Sequence, residues 1–430
     1  MKKYTEMSID ELREEQQKVI REYRSHVDNG LALDMSRGKP DTAQIDLSQE
    51  MLGVINTPED CISEAGIDCR NYGLLDGIPE AKRIFSELLS VSPHNLIVLG
   101  NSSLNIMYDS MARAMLYGVV GSPRPWCKEE KIKFLCPAPG YDRHFAICQS
   151  LGIEMITVPM TPTGPDMDMV EELAASDPLI KGIWCTPKYS NPEGITYSDE
   201  TVRRFARLKT AAPDFRIFWD NAYMVHDLYD EGDKLLNLMS EAELAGNADK
   251  VFIFASTSKI TFPGSGVAVM AASDANIAQI KEILSVQTIG ADKLNMMRHV
   301  MFFRDADGVR EHMKKHAEII RPKFELVLDA FERELGGLGI AEWTRPRGGY
   351  FISLNVLDGC ATKVYDLASG SGVKLTPVGA TFPYGIDPRD RNLRIAPTYP
   401  TPESLSLAVT VLCLCVRLAA ISKLLEGTGK

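Results

Sequence analysis

Between residues 80 and 300, short apolar runs rich in β-branched and aromatic residues alternate with stretches of helical period. The runs are Leu96-Ile97-Val98-Leu99, Ile132-Lys133-Phe134-Leu135, Ile153-Glu154-Met155-Ile156-Thr157-Val158, Gly182-Ile183-Trp184-Cys185, Arg216-Ile217-Phe218-Trp219, Val251-Phe252-Ile253-Phe254 and Val267-Ala268-Val269-Met270. Near-continuous apolar runs predict strands covered on both faces, here a mostly parallel seven-stranded sheet between layers of helices. Residues 305–334 read as one long helix with no strand inside it. After it come separated short strands at residues 350–355 and 392–395, and a helix start at Thr401-Pro402. The apolar stretch at residues 405–416 is broken by Ser406 and Thr410 and closed by Arg417. It falls short of the about 20 residues a membrane span needs, so it predicts a buried helix. At the other end, Ser8 and Glu11 form a capping box ahead of a charged helix to about Val27, followed by an irregular stretch at residues 31–41. The pattern as a whole predicts a large α/β domain over residues 55–305. A smaller α+β domain would be built from both chain ends, residues 1–54 and 306–430.

The chain has 430 residues, 45% hydrophobic and 24% charged, which supplies a sizeable core and excludes a disordered or collagenous protein. Its net charge of −11 argues against a general nucleic-acid binder, while leaving room for local arginines that hold a small anion. The nine cysteines are scattered with no CxxC, and no apolar stretch follows the basic residues at the start. Both features predict a cytoplasmic protein with free thiols.

No GxxxxGK[ST] or HExxH motif occurs. His312 and His316 stand four apart on the long helix with no third ligand of obvious type nearby, and read as surface residues rather than a metal site. What remains is a set of small polar clusters, each just after an apolar run, at the sheet edge where open α/β folds bind ligands. Asn101-Ser102-Ser103-Leu104 precedes a helical pattern and offers hydroxyls and free N–H groups to an anion. Asn191-Pro192-Glu193-Gly194, Asp220-Asn221-Ala222-Tyr223 and Ser256-Thr257-Ser258-Lys259 follow three further runs. Taken singly, the first three read equally well as an N-cap, a Pro-Gly turn and a strand-end cap. A lysine flanked by hydroxyls at the end of an apolar strand is harder to explain structurally. In this order the clusters supply what pyridoxal phosphate requires: a phosphate cradle, donors to its phenolic oxygen, an acceptor for its ring N–H and a lysine.

With these motifs the chain resembles the fold-type-I, pyridoxal-phosphate-dependent class I aminotransferases, the aspartate aminotransferase family, over about residues 30 to 400. SRGKP and STSK are similar to a less common branch of it. The resemblance implies the fold of that family, an α/β large domain with a smaller α+β domain, and a homodimer with shared active sites. It implies that Lys259 is the Schiff-base lysine, that Asp220 faces the pyridine nitrogen, and that Tyr223 and Asn191 contact the 3′-oxygen. Tyr141 would stack on the ring, with His144 behind the aspartate. Ser102, Ser103, Leu104, Ser256 and Ser258 would hold the phosphate, joined by Tyr72 of the neighbouring subunit. Arg394 would fork the substrate α-carboxylate, with Gly38 and the segment Pro346-Arg347-Gly348-Gly349-Tyr350-Phe351 beside it. One departure is plain: the family's phosphate-binding arginine, eight residues beyond the lysine, is missing from Ile260-Thr261-Phe262-Pro263-Gly264-Ser265-Gly266-Val267.

The implied activity is transfer of an amino group between an amino acid and a 2-oxo acid, aspartate with 2-oxoglutarate foremost. The alternatives are an aromatic or small neutral donor, a β-lyase, or a ligand-binding regulator. The last would need a DNA-binding domain, and the roughly 30 residues before SRGKP are too few for a winged helix. Arg37, beside Gly38, is the expected partner of a distal carboxylate, with Lys39, Lys293 and Arg298 as rivals.

Overall fold

The structure, a computed structural model, describes residues 2–27 and 32–427. Residue 31 of the expected irregular stretch, and residues 1, 28–30 and 428–430 of the expected smaller domain, lie outside it. Strand β1 (Leu33–Asp34) lies in that stretch and pairs in parallel with β12 (Val373–Lys374).

The main sheet contains β2 (Leu96–Val98), β3 (Lys133–Ala138), β4 (Glu154–Thr161), β5 (Gly164–Pro165), β6 (Ile180–Cys185), β7 (Arg216–Asp220), β8 (Val251–Ser256) and β9 (Ala268–Ala272). Their order is β2-β9-β8-β7-β6-β3-β4-β5. All seven apolar runs are strands. The eighth, β5, is a two-residue return of β4 across a tight turn, too short to leave a pattern. Alternate residues of each strand enter different cores. Ile217 and Trp219 of β7, with Val251 and Ile253 of β8, join one apolar cluster, while Phe218, Phe252 and Phe254 join another. Burial on both faces is why these runs carry no polar alternation.

β8, β7, β6, β3 and β4 are parallel, whereas β9 is antiparallel to both β8 and β2. The two reversals restore β2 to the sense of β8. The C-terminal ends of β2, β3, β6, β7 and β8 therefore open on one edge, and all the polar clusters start there.

A separate apolar cluster gathers helices Ile9–Val27, Ala306–Leu335, Ala361–Gly370 and Pro402–Gly427. They surround an antiparallel sheet in which β11 (Ile352–Val356) lies between β10 (Ala341–Trp343) and β13 (Asn392–Ile395). The first helix carries the expected cap: Glu11 N–H donates to Ser8 Oγ and Ser8 N–H to Glu11 Oε2. The last helix is buried as expected and continues past Arg417. It runs 26 residues, and Arg417, which closes the apolar stretch, is neutralised inside: its Nε donates to Tyr4 Oη at 3.0 Å and its Nη2 to Glu15 Oε1. Among the described residues it is the one helix long and apolar enough to cross a membrane, and 78% of its most apolar window is buried in the protein.

Candidate active site

Asp220 ends β7, and its carboxylate is buried. His144 Nε2–H donates to Asp220 Oδ2 at 3.0 Å, and the imidazole is stacked on Trp184, 4.4 Å between ring centres at 9°. Asp220 Oδ1 is buried with no hydrogen-bond partner. A buried acceptor left unpaired costs about 1–3 kcal/mol, so this oxygen fits a ligand that brings an N–H.

Lys259 lies in the turn after β8. Its Nζ sits 4.9 Å from the Tyr223 ring centre and 5.7 Å from that of Tyr350. Burial pushes the lysine pKa down; the positive charge of Arg394 pushes the same way and Asp220 opposes both. The Tyr223 hydroxyl is held well above its ordinary pKa by burial. His226, edge-on to both tyrosine rings, is kept neutral by burial and the nearby lysine.

Ser102 caps helix Ser103–Tyr117, its Oγ accepting from Leu104 N–H at 3.3 Å, so Ser103 and Leu104 form the first helical turn. Ser258 Oγ donates to the Asn101 carbonyl and Ser256 Oγ to Ser258 Oγ, which laces this helix start to the lysine turn. At Gly266 a Cβ would stand 3.1 Å from both the Asn101 carbonyl and Thr257 Oγ1, so the departure from the family's arginine coincides with close packing of the two loops. The helix N-terminus and these hydroxyls fit an anion.

Arg394, on β13, is buried. Its Nη1 donates to Asp142 Oδ1 at 2.8 Å and to Asn191 Oδ1 at 3.3 Å, and the guanidinium lies 5.0 Å from the Phe351 ring centre. Gly38 packs on the same ring, where a Cβ would fall 2.4 Å from Phe351 Cζ. Thr376 completes the link, accepting from Arg394 Nε and donating to the Ser36 carbonyl. Arg37 is thereby held close to Arg394, and its exposed side chain has no ion-pair or hydrogen-bond partner among the described residues.

The rivals of Arg37 are differently placed. Lys39 Nζ rests on the Tyr399 ring, and buried Lys293 donates to the carbonyls of Asn71 and Gly73. Arg298 is half-buried on helix Lys293–Phe303. Tyr141 sits edge-on to His144. Tyr72 is not brought into its own chain's site: it is 81% exposed on the loop that Lys293 braces.

The reading of His312 and His316 as surface residues is overturned. Both are buried, because the long helix turns this face toward the lysine turn. His312 Nε2 donates to the Ile260 carbonyl at 2.9 Å, and Gln44 Nε2 donates to His316 Nδ1 and to Tyr350 Oη. Tyr350 Oη in turn reaches the Lys259 carbonyl at 3.4 Å. On the other side of the turn His299 Nδ1–H donates to the Asn295 carbonyl, leaving Nε2 to accept from Thr257 and Thr261 hydroxyls. Nothing local in the sequence marks Gln44, His299 or Thr376 as neighbours of the site. Among the described residues no group of three or more His, Cys, Asp and Glu is arranged to hold a metal.

A buried lysine with a depressed pKa, within electrostatic reach of a buried carboxylate and a buried arginine on this α/β fold, fits the aminotransferase class. The sequence pattern of the aspartate amino-transferase family matches residues 7–428, and the chain belongs to that family. An aspartate aminotransferase of Corynebacterium glutamicum (strain ATCC 13032) is 44% identical over 390 residues, 91% of this chain and 90% of that protein. The crystal structure of an aspartate transaminase from Corynebacterium glutamicum is 41% identical, with a TM-score of 0.96 over 98% of this chain and 99% of that one. An α-aminoadipate aminotransferase of Thermus thermophilus, complexed with N-(5'-phosphopyridoxyl)-L-leucine, is 20% identical at a TM-score of 0.70 over 95% of each chain, a likeness of fold.

Proposed function

We propose that this aminotransferase uses pyridoxal 5′-phosphate to exchange an amino group between aspartate and 2-oxoglutarate, as a homodimer with shared sites. The observation that carries the reading is the buried, unpartnered Asp220 Oδ1 within electrostatic reach of the Lys259 amine. The identity shared with the Corynebacterium glutamicum aspartate aminotransferase supports the substrate. So does Arg37, exposed and without an ion-pair partner among the described residues, next in the chain to Ser36, whose carbonyl Thr376 ties to Arg394.

When bound, the cofactor supplies a carbonyl carbon that takes the amino group and an electron-poor ring that stabilises negative charge on the substrate Cα. Asp220 Oδ1 would accept the ring N–H, with His144 holding the carboxylate from behind. Tyr223 and Asn191 would donate to the phenolic oxygen; the Tyr223 phenol keeps its proton at any working pH. The first turn of helix Ser103–Tyr117, with Ser256 and Ser258, would hold the phosphate. Arg394 would hold the α-carboxylate, fixing the direction of the Cα–H bond. Lys259 Nζ would take the Cα proton and return it on the other side of the exchange. Its depressed pKa favours the neutral amine that a general base requires.

The test is a screen of amino donors on the cofactor-loaded enzyme, following cofactor absorbance through one half-reaction. Aspartate and glutamate should react far faster than alanine or tyrosine. Arg37→Ala should lower kcat/KM for aspartate and 2-oxoglutarate by about 10–150-fold, the scale of one charged hydrogen bond in a closed site, and spare alanine. Equal losses for every donor would remove Arg37 from the substrate site, and a preference for aromatic or small neutral donors would overturn the substrate.

A further inference from the structure

We propose that Asp142 sets the affinity of the carboxylate pocket, as an internal counter-ion that holds Arg394 until a substrate carboxylate displaces it. The inference rests on Arg394 being the α-carboxylate donor.

Asp142 is the first residue of helix Asp142–Ser150, a position where the helix N-terminus favours an acid. A capping role alone would turn the carboxylate onto the helix's own N–H groups. Among the described residues no hydrogen bond from those N–H groups to the Asp142 carboxylate is found, and its side-chain bond is to Arg394. It reaches instead to an arginine 252 residues away, Oδ1 to Nη1 at 2.8 Å. The same Nη1 also meets Asn191 Oδ1, and Nε meets Thr376 Oγ1. Of the guanidinium nitrogens, Nη2 alone lacks a protein acceptor among the described residues. A carboxylate held by two parallel N–H groups needs two neighbouring donors. Nη2 can pair with Nε, which Thr376 holds at 3.4 Å, or with Nη1, which Asp142 holds at 2.8 Å; on the second fork a carboxylate displaces Asp142, and on the first it binds beside that negative charge.

The surroundings allow the exchange. Arg394 is fixed, its side chain 8% exposed, whereas the Asp142 side chain is 31% exposed and can turn to solvent. With Asp142 in place the charge of Arg394 is balanced by its own ion pair, and a small anion gains less from it by entering. A substrate overcomes the competition through its other contacts.

The test uses the cofactor-loaded enzyme, with propionate as a probe that brings one carboxylate and no amino group. Asp142→Asn keeps the shape and removes the charge. The inhibition constant for propionate, and KM for amino and oxo acids, should fall by about three- to tenfold, modest because Asp142 is partly screened by water. Asp142→Ala should do the same. Constants that are unchanged, or that rise, would overturn the proposal; a rise would make Asp142 a support for Arg394. Arg394→Gln separates the underlying reading. If it leaves propionate inhibition intact, Arg394 is not the carboxylate site. If it abolishes inhibition while Asp142→Asn changes nothing, the counter-ion alone fails.

Discussion

Asp220→Asn should move stability in opposite directions with and without cofactor. In the cofactor-free protein Asp220 is 2% exposed, and only Oδ2 is hydrogen-bonded, to His144 at 3.0 Å. Its other oxygen carries an unmet desolvation cost of about 1–3 kcal/mol. Asparagine has nearly the same shape, keeps an acceptor for His144 and removes the buried charge. The cofactor-free variant should therefore be as stable as the parent or more so. With pyridoxal phosphate present, the parent gains a charge-assisted hydrogen bond on a dry carboxylate, worth roughly 1.5–3 kcal/mol. Losing it should weaken cofactor binding by about 10–150-fold, and each tenfold removes about 1.4 kcal/mol of ligand-conferred stability at fixed cofactor concentration. The assay is a pair of thermal unfolding curves for each protein, with and without cofactor, beside a direct titration of binding. The curves should cross: variant at or above parent without cofactor, below it with cofactor. A variant that is less stable when empty yet gains as much from the cofactor as the parent would show that Asp220 is a structural strand-end cap, and the ring-nitrogen assignment would fall with it.

Stability should also fall in mild acid. Burial holds His299 and His316 at about 4 against an ordinary 6.5, so the unfolded chain binds more protons between those values; their contribution is complete above pH 6.5 and is lost as pH drops through 4. The loss is up to about 3 kcal/mol per histidine, and His299→Gln should remove about one proton from the slope of urea-unfolding stability against pH; an unchanged slope would refute its neutrality. Mixing Tyr72→Ala with Lys259→Ala protomers should create hybrid dimers with one site carrying both lesions and one carrying neither. Activity of roughly a quarter of wild type is expected from random pairing, and none despite demonstrated subunit exchange would refute site sharing.

What could be read from the sequence, and what could not, follows from how far away each residue's partner lies. Asp220, Lys259 and Asn191 were legible because an apolar run shows where a strand ends, and parallel strands bring their ends to one edge. The seven strands were legible for a related reason: burial on both faces removes polar positions from Ile217-Phe218-Trp219 and Val251-Phe252-Ile253 alike. His312 and His316 were misread because helical spacing shows that two residues share a face but not what that face meets. Here it meets the Ile260 carbonyl and Gln44, 52 and 272 residues away. Arg417 closes the apolar stretch in the sequence, yet it lies buried within the last helix, because its partners Tyr4 and Glu15 are 413 and 402 residues distant. A buried charged or polar side chain is costly unless another residue or a ligand pairs with it. Each such residue therefore points to a partner without naming it. Asp142 shows the consequence for function: beside the aromatic Tyr141, it reads as an ordinary helix-start acid until Arg394 stands against it.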